Sequence, residues 1–120
     1  MAYVARILVA DDDADQLVLA QKLLGAIGHQ VTPAATPAAA LSEIAKQAPD
    51  LLVIDLGLPL PSDGLSLIRE IRKSGCAAPI ILLSGWPEEI FGRPEEAMVS
   101  RVLMKGNVRE LLSTIANLQL

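Results

Sequence analysis

Asp11, Asp12 and Asp13 close a short apolar run that ends at Ala10, and Asp55 closes another that ends at Ile54. Ser84 and Lys105 stand directly behind two later apolar runs. Carboxylates brought to one place repel each other, and their pKa values rise unless a cation sits among them. A hard divalent cation such as Mg²⁺ suits such a set, because it takes oxygen ligands and combines one or two carboxylates with waters and a phosphate oxygen. A fixed ammonium and a hydroxyl beside it would hold the other oxygens of a phosphoryl group. These residue types together would perform phosphate chemistry on a carboxylate, provided the chain gathers them at one rim.

The elements that must do the gathering are legible as an alternation of β-branched or Leu-rich runs with segments of helical period, the pattern of a parallel sheet covered on both faces. Strands are expected over Arg6–Ala10, Gln30–Ala34, Leu51–Ile54, Pro79–Leu83 and Arg101–Met104. The first helix starts near Asp13, which has capping-box spacing to Gln16, and carries a stripe of Leu17, Ala20, Leu24 and Ile27 up to Gly28. Thr36 and Pro37 open a second helix that runs to about Lys46. A third spans Gly64–Lys73 with Leu65, Ile68 and Ile71 on one face, and Asn107 with Glu110 caps a last helix bearing Val108, Leu111, Leu112 and Ile115.

Pro33 removes a ladder donor from the second strand and so assigns it to an edge. That suits a doubly wound, five-stranded α/β sheet of order 2-1-3-4-5, flavodoxin-like, whose crevice lies beyond the carboxyl ends of the strands. Between Trp86 and Ser100, Pro87, Gly92 and Pro94 forbid one long helix. Pro87-Glu88-Glu89 and Pro94-Glu95-Glu96 instead predict two short turns or a short, irregular fourth helix.

Composition narrows the function. The chain has 120 residues, enough for one domain, and 52% are hydrophobic against 20% charged, which excludes a disordered chain. A formal net charge of −4, and only Tyr3, Trp86 and Phe91 as aromatics, argue against nucleic acid and anionic membrane as partners. Cys76 is the single cysteine and has no internal disulfide partner, and the N-terminal apolar stretch is too short for a signal peptide. No apolar run reaches membrane-spanning length, and the reading is a cytoplasmic protein.

At this point the residues resemble a family, the receiver domain of bacterial two-component response regulators. Ile7 to Asp13 resembles its first strand and acidic pair, and Pro49 to Leu56 its approach to a phosphorylated aspartate. Leu58-Pro59 with Asp63-Gly64, Pro79 to Gly85, and Val102 to Lys105 resemble the remaining signatures in the right order. The resemblance implies a single receiver domain over residues 1–120 without an output domain, stand-alone or of hybrid-kinase type. It implies a phosphoacceptor signalling switch in a phosphorelay, which assists its own phosphorylation and dephosphorylation and is otherwise not an enzyme. Asp55 would take phosphate from the phosphohistidine of a sensor histidine kinase or phosphotransfer protein. Asp12, Asp55 and the Gly57 carbonyl would bind Mg²⁺ directly, with Asp11 acting through water. Lys105 and Ser84 would hold the phosphoryl oxygens. The downstream partner would be a protein reached by contact, Val18 and Leu19 on the first helix would offer a kinase-docking surface or complete a broad core face, and the apolar fraction permits a homodimer.

The sequence departs from the family pattern in three places. The loop from Asp55 to Gly64 is one residue longer, with Pro61 and Ser62 in the extra space. Gly106 follows Lys105 where the family has proline after a cis bond, and Val102 stands where an aromatic gate is usual. Trp86, two past Ser84, would overhang the site and hinder water's attack on the phosphate.

Two other functions remain open. A haloacid-dehalogenase-like phosphatase would use Asp11 as nucleophile and Asp13 as acid and base, but leaves Asp55 without a role. A degenerate receiver that docks proteins without phosphorylation is the other. Several residues read more simply as structure: Asp13 as a helix cap, Asp50 as a turn residue, His29 as a surface residue of a loop, Cys76 as a loop thiol. Asp11, Asp13 and Asp15 imitate an EF-hand start, but Gln16 and Lys22 stand where that loop needs Gly and Glu.

Overall fold

The computed structural model describes residues 4–118. Five parallel strands, β1 (Arg6–Ala10), β2 (Gln30–Ala34), β3 (Leu51–Asp55), β4 (Ile80–Ser84) and β5 (Arg101–Met104), form one sheet of order β2-β1-β3-β4-β5. The sequence-based order is therefore the observed one, and Pro33 lies on the edge strand, opposite Val9. Strand side chains alternate between faces, and the core divides accordingly. Leu8, Leu52, Ile54, Ile80 and Leu82 pack with Ile68 and Ile71 on one side, while Ile7, Val9, Leu51, Val53 and Ile81 pack with Leu17, Leu24 and Ile115 on the other. Helices α2 (Pro37–Lys46) and α3 (Pro61–Lys73) cover the first face, and α1 (Ala14–Ala26) and α4 (Val108–Asn117) the second.

Local chemistry sets the helix ends. Asp13 caps α1 by accepting from the N–H groups of Asp15 and Gln16 at 2.9 and 3.4 Å, Thr36 caps α2 by accepting from Ala39 at 3.1 Å, and Asn107 caps α4 by accepting from Glu110 at 3.0 Å. Ile27 is the C-cap of α1 and is 51% exposed, so the apolar stripe of that helix ends at Leu24.

Strands β3 and β4 each run one residue past the expected end, to Asp55 and Ser84. The ladder continues because the Leu56 N–H donates to Leu83 and the Lys105 N–H to Ser84, both at 2.8 Å, and backbone pairing does not require an apolar side chain. Helix α3 starts at Pro61, three residues before the expected start: proline takes the first helical position, and Asp63 reaches back to accept from the Leu60 N–H at 3.1 Å. Two 3₁₀ turns, Pro87–Ile90 and Pro94–Met98, connect β4 to β5, as the two Pro-Glu-Glu segments predict. Among the described residues no helix is long and apolar enough to cross a membrane.

Candidate functional site at the carboxyl rim

Every strand except β2 delivers polar residues to the same rim. Asp11 and Asp12 follow β1, Asp55 ends β3, Ser84 ends β4 and Lys105 follows β5. One carboxylate oxygen from each of Asp11, Asp12 and Asp55 lies within 4.8 Å of the others. Asp11 and Asp55 are each only 5% exposed, whereas Asp12 faces solvent.

Backbone donors fix two of these carboxylates. Asp11 Oδ1 accepts from the Asp13 N–H at 3.0 Å, and Asp55 Oδ1 accepts from the Gly57 N–H at 3.2 Å. The second oxygens face Lys105, whose Nζ lies 2.5 Å from Asp55 Oδ2 and 3.8 Å from Asp11 Oδ2. Burial pushes the Asp11 carboxyl above its ordinary value; the Asp13 N–H bond opposes this, and the Asp55 charge adds to it. For Lys105, burial pulls the pKa down, but the bond to Asp55 and the charges of Asp55, Asp11 and Asp12 together carry it above its ordinary value. Asp11 is thus a carboxylate short of cation, and Lys105 an ammonium held charged.

The cleft at this cluster measures about 320 Å³, and its lining includes Asp12, Asp55, Gly57, Ser84, Trp86, Glu89 and Lys105. Ser84 is buried, and its Oγ accepts from the Trp86 N–H at 3.0 Å, which leaves the hydroxyl proton free for another acceptor. Trp86 borders the cleft but is 71% exposed, so it forms part of a rim and does not seal the site. The peptide after Lys105 is trans, with Gly106 at φ +94°, a conformation that favours glycine, and Lys105 still reaches both carboxylates. Val102 is half-buried against the core.

The site residues read from sequence are thus together, and Asp13 is apart from them in role, its carboxylate engaged by the α1 cap. Glu89 is legible in the sequence only as a first-turn acid, since no spacing signal shows which side of a 3₁₀ turn meets the cleft. His29 is not a plain surface residue: it is half-buried, and its Nδ1 accepts from the Ala5 N–H at 3.0 Å. Topology alone creates that contact, by bringing the α1–β2 loop against the entry to β1.

All-oxygen donors, two of them buried, fit a hard divalent cation such as Mg²⁺. They do not resemble the nitrogen and sulfur sets of structural zinc.

Comparison with known proteins agrees with this geometry. Residues 7–116 match the family described as response regulator receiver domain. The virulence transcriptional regulatory protein PhoP of Salmonella typhimurium is 36% identical over 88 residues, 71% of this chain and 39% of that protein. The two-component response regulator PhoP of Pseudomonas aeruginosa is 38% identical over 90 residues, 72% of this chain and 40% of that protein. The chain therefore spans about two fifths of the length of these relatives. Among solved structures, the response regulator protein TrrA of Thermotoga maritima, in complex with Mg²⁺-BeF, superposes with a TM-score of 0.79 at 28% identity, covering 92% of this chain and 95% of that one.

Proposed function

This chain belongs to the response regulator receiver domain family, and on that premise we propose that Asp55 is its phosphoacceptor, in a phosphorelay that begins at a histidine kinase or phosphotransfer protein. The observation that carries the reading is the meeting of Asp55 with Asp11, Asp12 and Lys105 at one strand rim. An Asp55 carboxylate oxygen attacks phosphorus in line, the P–O bond forms as the P–N bond to the donor imidazole breaks, and the imidazole leaves with its electron pair. Gly57 N–H and Lys105 Nζ orient the two Asp55 oxygens, and Lys105 neutralises charge on the transferring group. Ser84 donates its hydroxyl proton to a phosphoryl oxygen.

Asp12, Asp55 and the Gly57 carbonyl would hold Mg²⁺, with Asp11 acting through water. When bound, the ion supplies charge neutralisation to the phosphoryl oxygens. The product is a phosphorylated protein whose charge biases a local conformational equilibrium, so the chain acts as a signalling phosphoacceptor and not as a turnover enzyme. Val18 and Leu19, 48% and 40% exposed on α1, the helix that follows Asp13, support that helix as the face that meets the phosphodonor.

The phosphatase reading would need Asp13 as acid and base, and the capping role of that carboxylate speaks against it. Incubation with acetyl phosphate and Mg²⁺, followed by mass spectrometry, is expected to find the adduct on Asp55 and none in Asp55→Asn. Phosphate on Asp11, or no adduct in the wild-type protein, would overturn the proposal.

A further inference from the structure

The two halves of the connection between β4 and β5 are held very differently. The second 3₁₀ turn is fastened to α3. Arg72 donates through Nε and Nη2 to the Met98 carbonyl at 3.0 and 2.8 Å, and through Nη1 to the carbonyls of Cys76 and Ala78 at 2.9 and 2.7 Å. One planar guanidinium therefore ties the α3–β4 loop and the end of the second turn together with charged-donor hydrogen bonds. One turn earlier on α3, Arg69 Nη1 lies 3.4 Å from Oε2 of Glu95, whose side chain is 6% exposed. Met98 and Val99 pack against the core, and the Ser100 N–H donates to the Ile80 carbonyl at 2.8 Å.

Among the described residues nothing comparable holds the first turn. Its buried residue is Ile90, and Trp86 and Phe91 on either side are exposed. The polar bonds that join it to the second turn lie at the surface: Gly92 N–H to Glu96 Oε1 at 3.1 Å and Arg93 Nε to the Glu89 carbonyl at 2.7 Å. Gly85 precedes it and Gly92 follows it, the latter at φ +80°, where glycine alone is unstrained. Its inner end hangs from Ser84 through the Trp86 N–H. A hydroxyl that turns to donate to a phosphoryl oxygen carries its lone pairs with it, so the Trp86 N–H must follow or lose its acceptor.

We propose that Arg72 is a positioning residue that pins the second half of this connection to α3, so that the response to a phosphoryl group on Asp55 is confined to Gly85–Gly92. The proposal rests on the Asp55 reading above. Displacing the whole connection would strip the guanidinium of its carbonyl partners and expose Glu95. Re-aiming the first turn about Ile90, which stays seated in the core, breaks only the solvent-exposed bonds to the second turn, which water replaces at little cost. The moving unit is therefore small, and it carries Trp86, Phe91, Glu88 and Glu89 on its outer surface.

Hydrogen–deuterium exchange of the whole chain, with and without Mg²⁺ and beryllium fluoride, tests this. Deuterium uptake is expected to change over residues 84–93 and stay unchanged over 94–104, and Arg72→Gln should extend the change into 94–99. If Arg72→Gln does not fold, Arg72→Lys serves the same comparison, because it keeps the charge but cannot fork across three carbonyls. Equal change in both halves of the wild-type protein, or a wild-type pattern in the folded variant, would overturn the role of Arg72. Acetyl phosphate labelling of the same preparations separates the two readings. An adduct on Asp55 without any exchange response defeats only the Arg72 proposal, whereas absence of the adduct defeats the Asp55 reading first.

Discussion

The ammonium of Lys105 sits on Asp55 Oδ2, so the cation that would grip a phosphoryl group already neutralises the residue that would receive it. The same Nζ lies 3.8 Å from Asp11 and thereby serves both buried carboxylates. Removing it in Lys105→Met should act in opposite directions on two measurements. Mg²⁺ affinity rises, because no resident ammonium competes for the acidic oxygens. Transfer of phosphate to Asp55 slows by roughly a hundredfold to a thousandfold, as expected when one fixed donor to a developing charge is lost. Trp86, the only tryptophan and a lining residue of the cleft, reports the metal titration by its fluorescence, and labelling with acetyl phosphate reports the rate.

Without a divalent cation, stability should depend on pH through the same pair of groups. The Asp11 pKa is raised on folding, mainly by burial, so the folded chain holds that proton more tightly than the unfolded one. Asp11 thus adds stability as pH falls from its raised folded value to its unfolded value, and nothing further below that. The Lys105 pKa is also raised, because the Asp55, Asp11 and Asp12 interactions outweigh burial. Its contribution is fully present below the unfolded lysine value and is lost as pH rises through the folded one. Urea midpoints measured across pH should show both slopes, with Asp11→Asn flattening the acid one and Lys105→Met the alkaline one.

Asp11→Asn keeps the oxygen that accepts from the Asp13 N–H and removes the charge. If Asp11 acts on Mg²⁺ through water, the variant should fold normally and bind the ion about 10–100-fold more weakly, the usual cost of losing an outer partner of a metal site. Calorimetric titration at neutral pH measures this, and unchanged affinity would remove Asp11 from the site.

The strands and most of the rim are legible in the sequence because apolar runs specify a buried parallel sheet, and a parallel sheet sends the residue after each run to one edge. What escapes depends on partners distant in sequence or on weak local signals. The sequence pattern places the start of α3 at Gly64, since Leu60 offers no side-chain cap and the signal reduces to Pro61 and the backward reach of Asp63. Glu95 reads as a first-turn acid, yet it is buried and paired with Arg69, and Arg72 falls near the end of the expected third helix with nothing to single it out, yet it binds three carbonyls. No local pattern distinguishes an arginine bound for solvent from one bound for the backbone of another segment.

Gly64 shows how closely the acceptor loop is packed against its helix. A Cβ built there would stand 2.0 Å from the carbonyl oxygen of Leu56, the residue that follows Asp55, and 2.8 Å from its Cα. Those atoms are backbone and cannot turn aside as a side chain would, so α3 must retreat or the loop that carries Gly57 must shift. Gly64 is buried within α3, where alanine would otherwise favour the helix, so any loss measures the clash and not propensity. Gly64→Ala is therefore expected to cost about 3 kcal/mol, at the upper end of overpacking penalties. Chemical denaturation gives that figure. The folded fraction should also bind Mg²⁺ more weakly, since the displaced loop carries the Gly57 N–H away from Asp55 Oδ1. Gly25, on the exposed side of α1, has open space within 4 Å of the position a Cβ would take and supplies the control. Gly25→Ala should leave Mg²⁺ binding untouched and raise stability slightly, by up to about 1 kcal/mol.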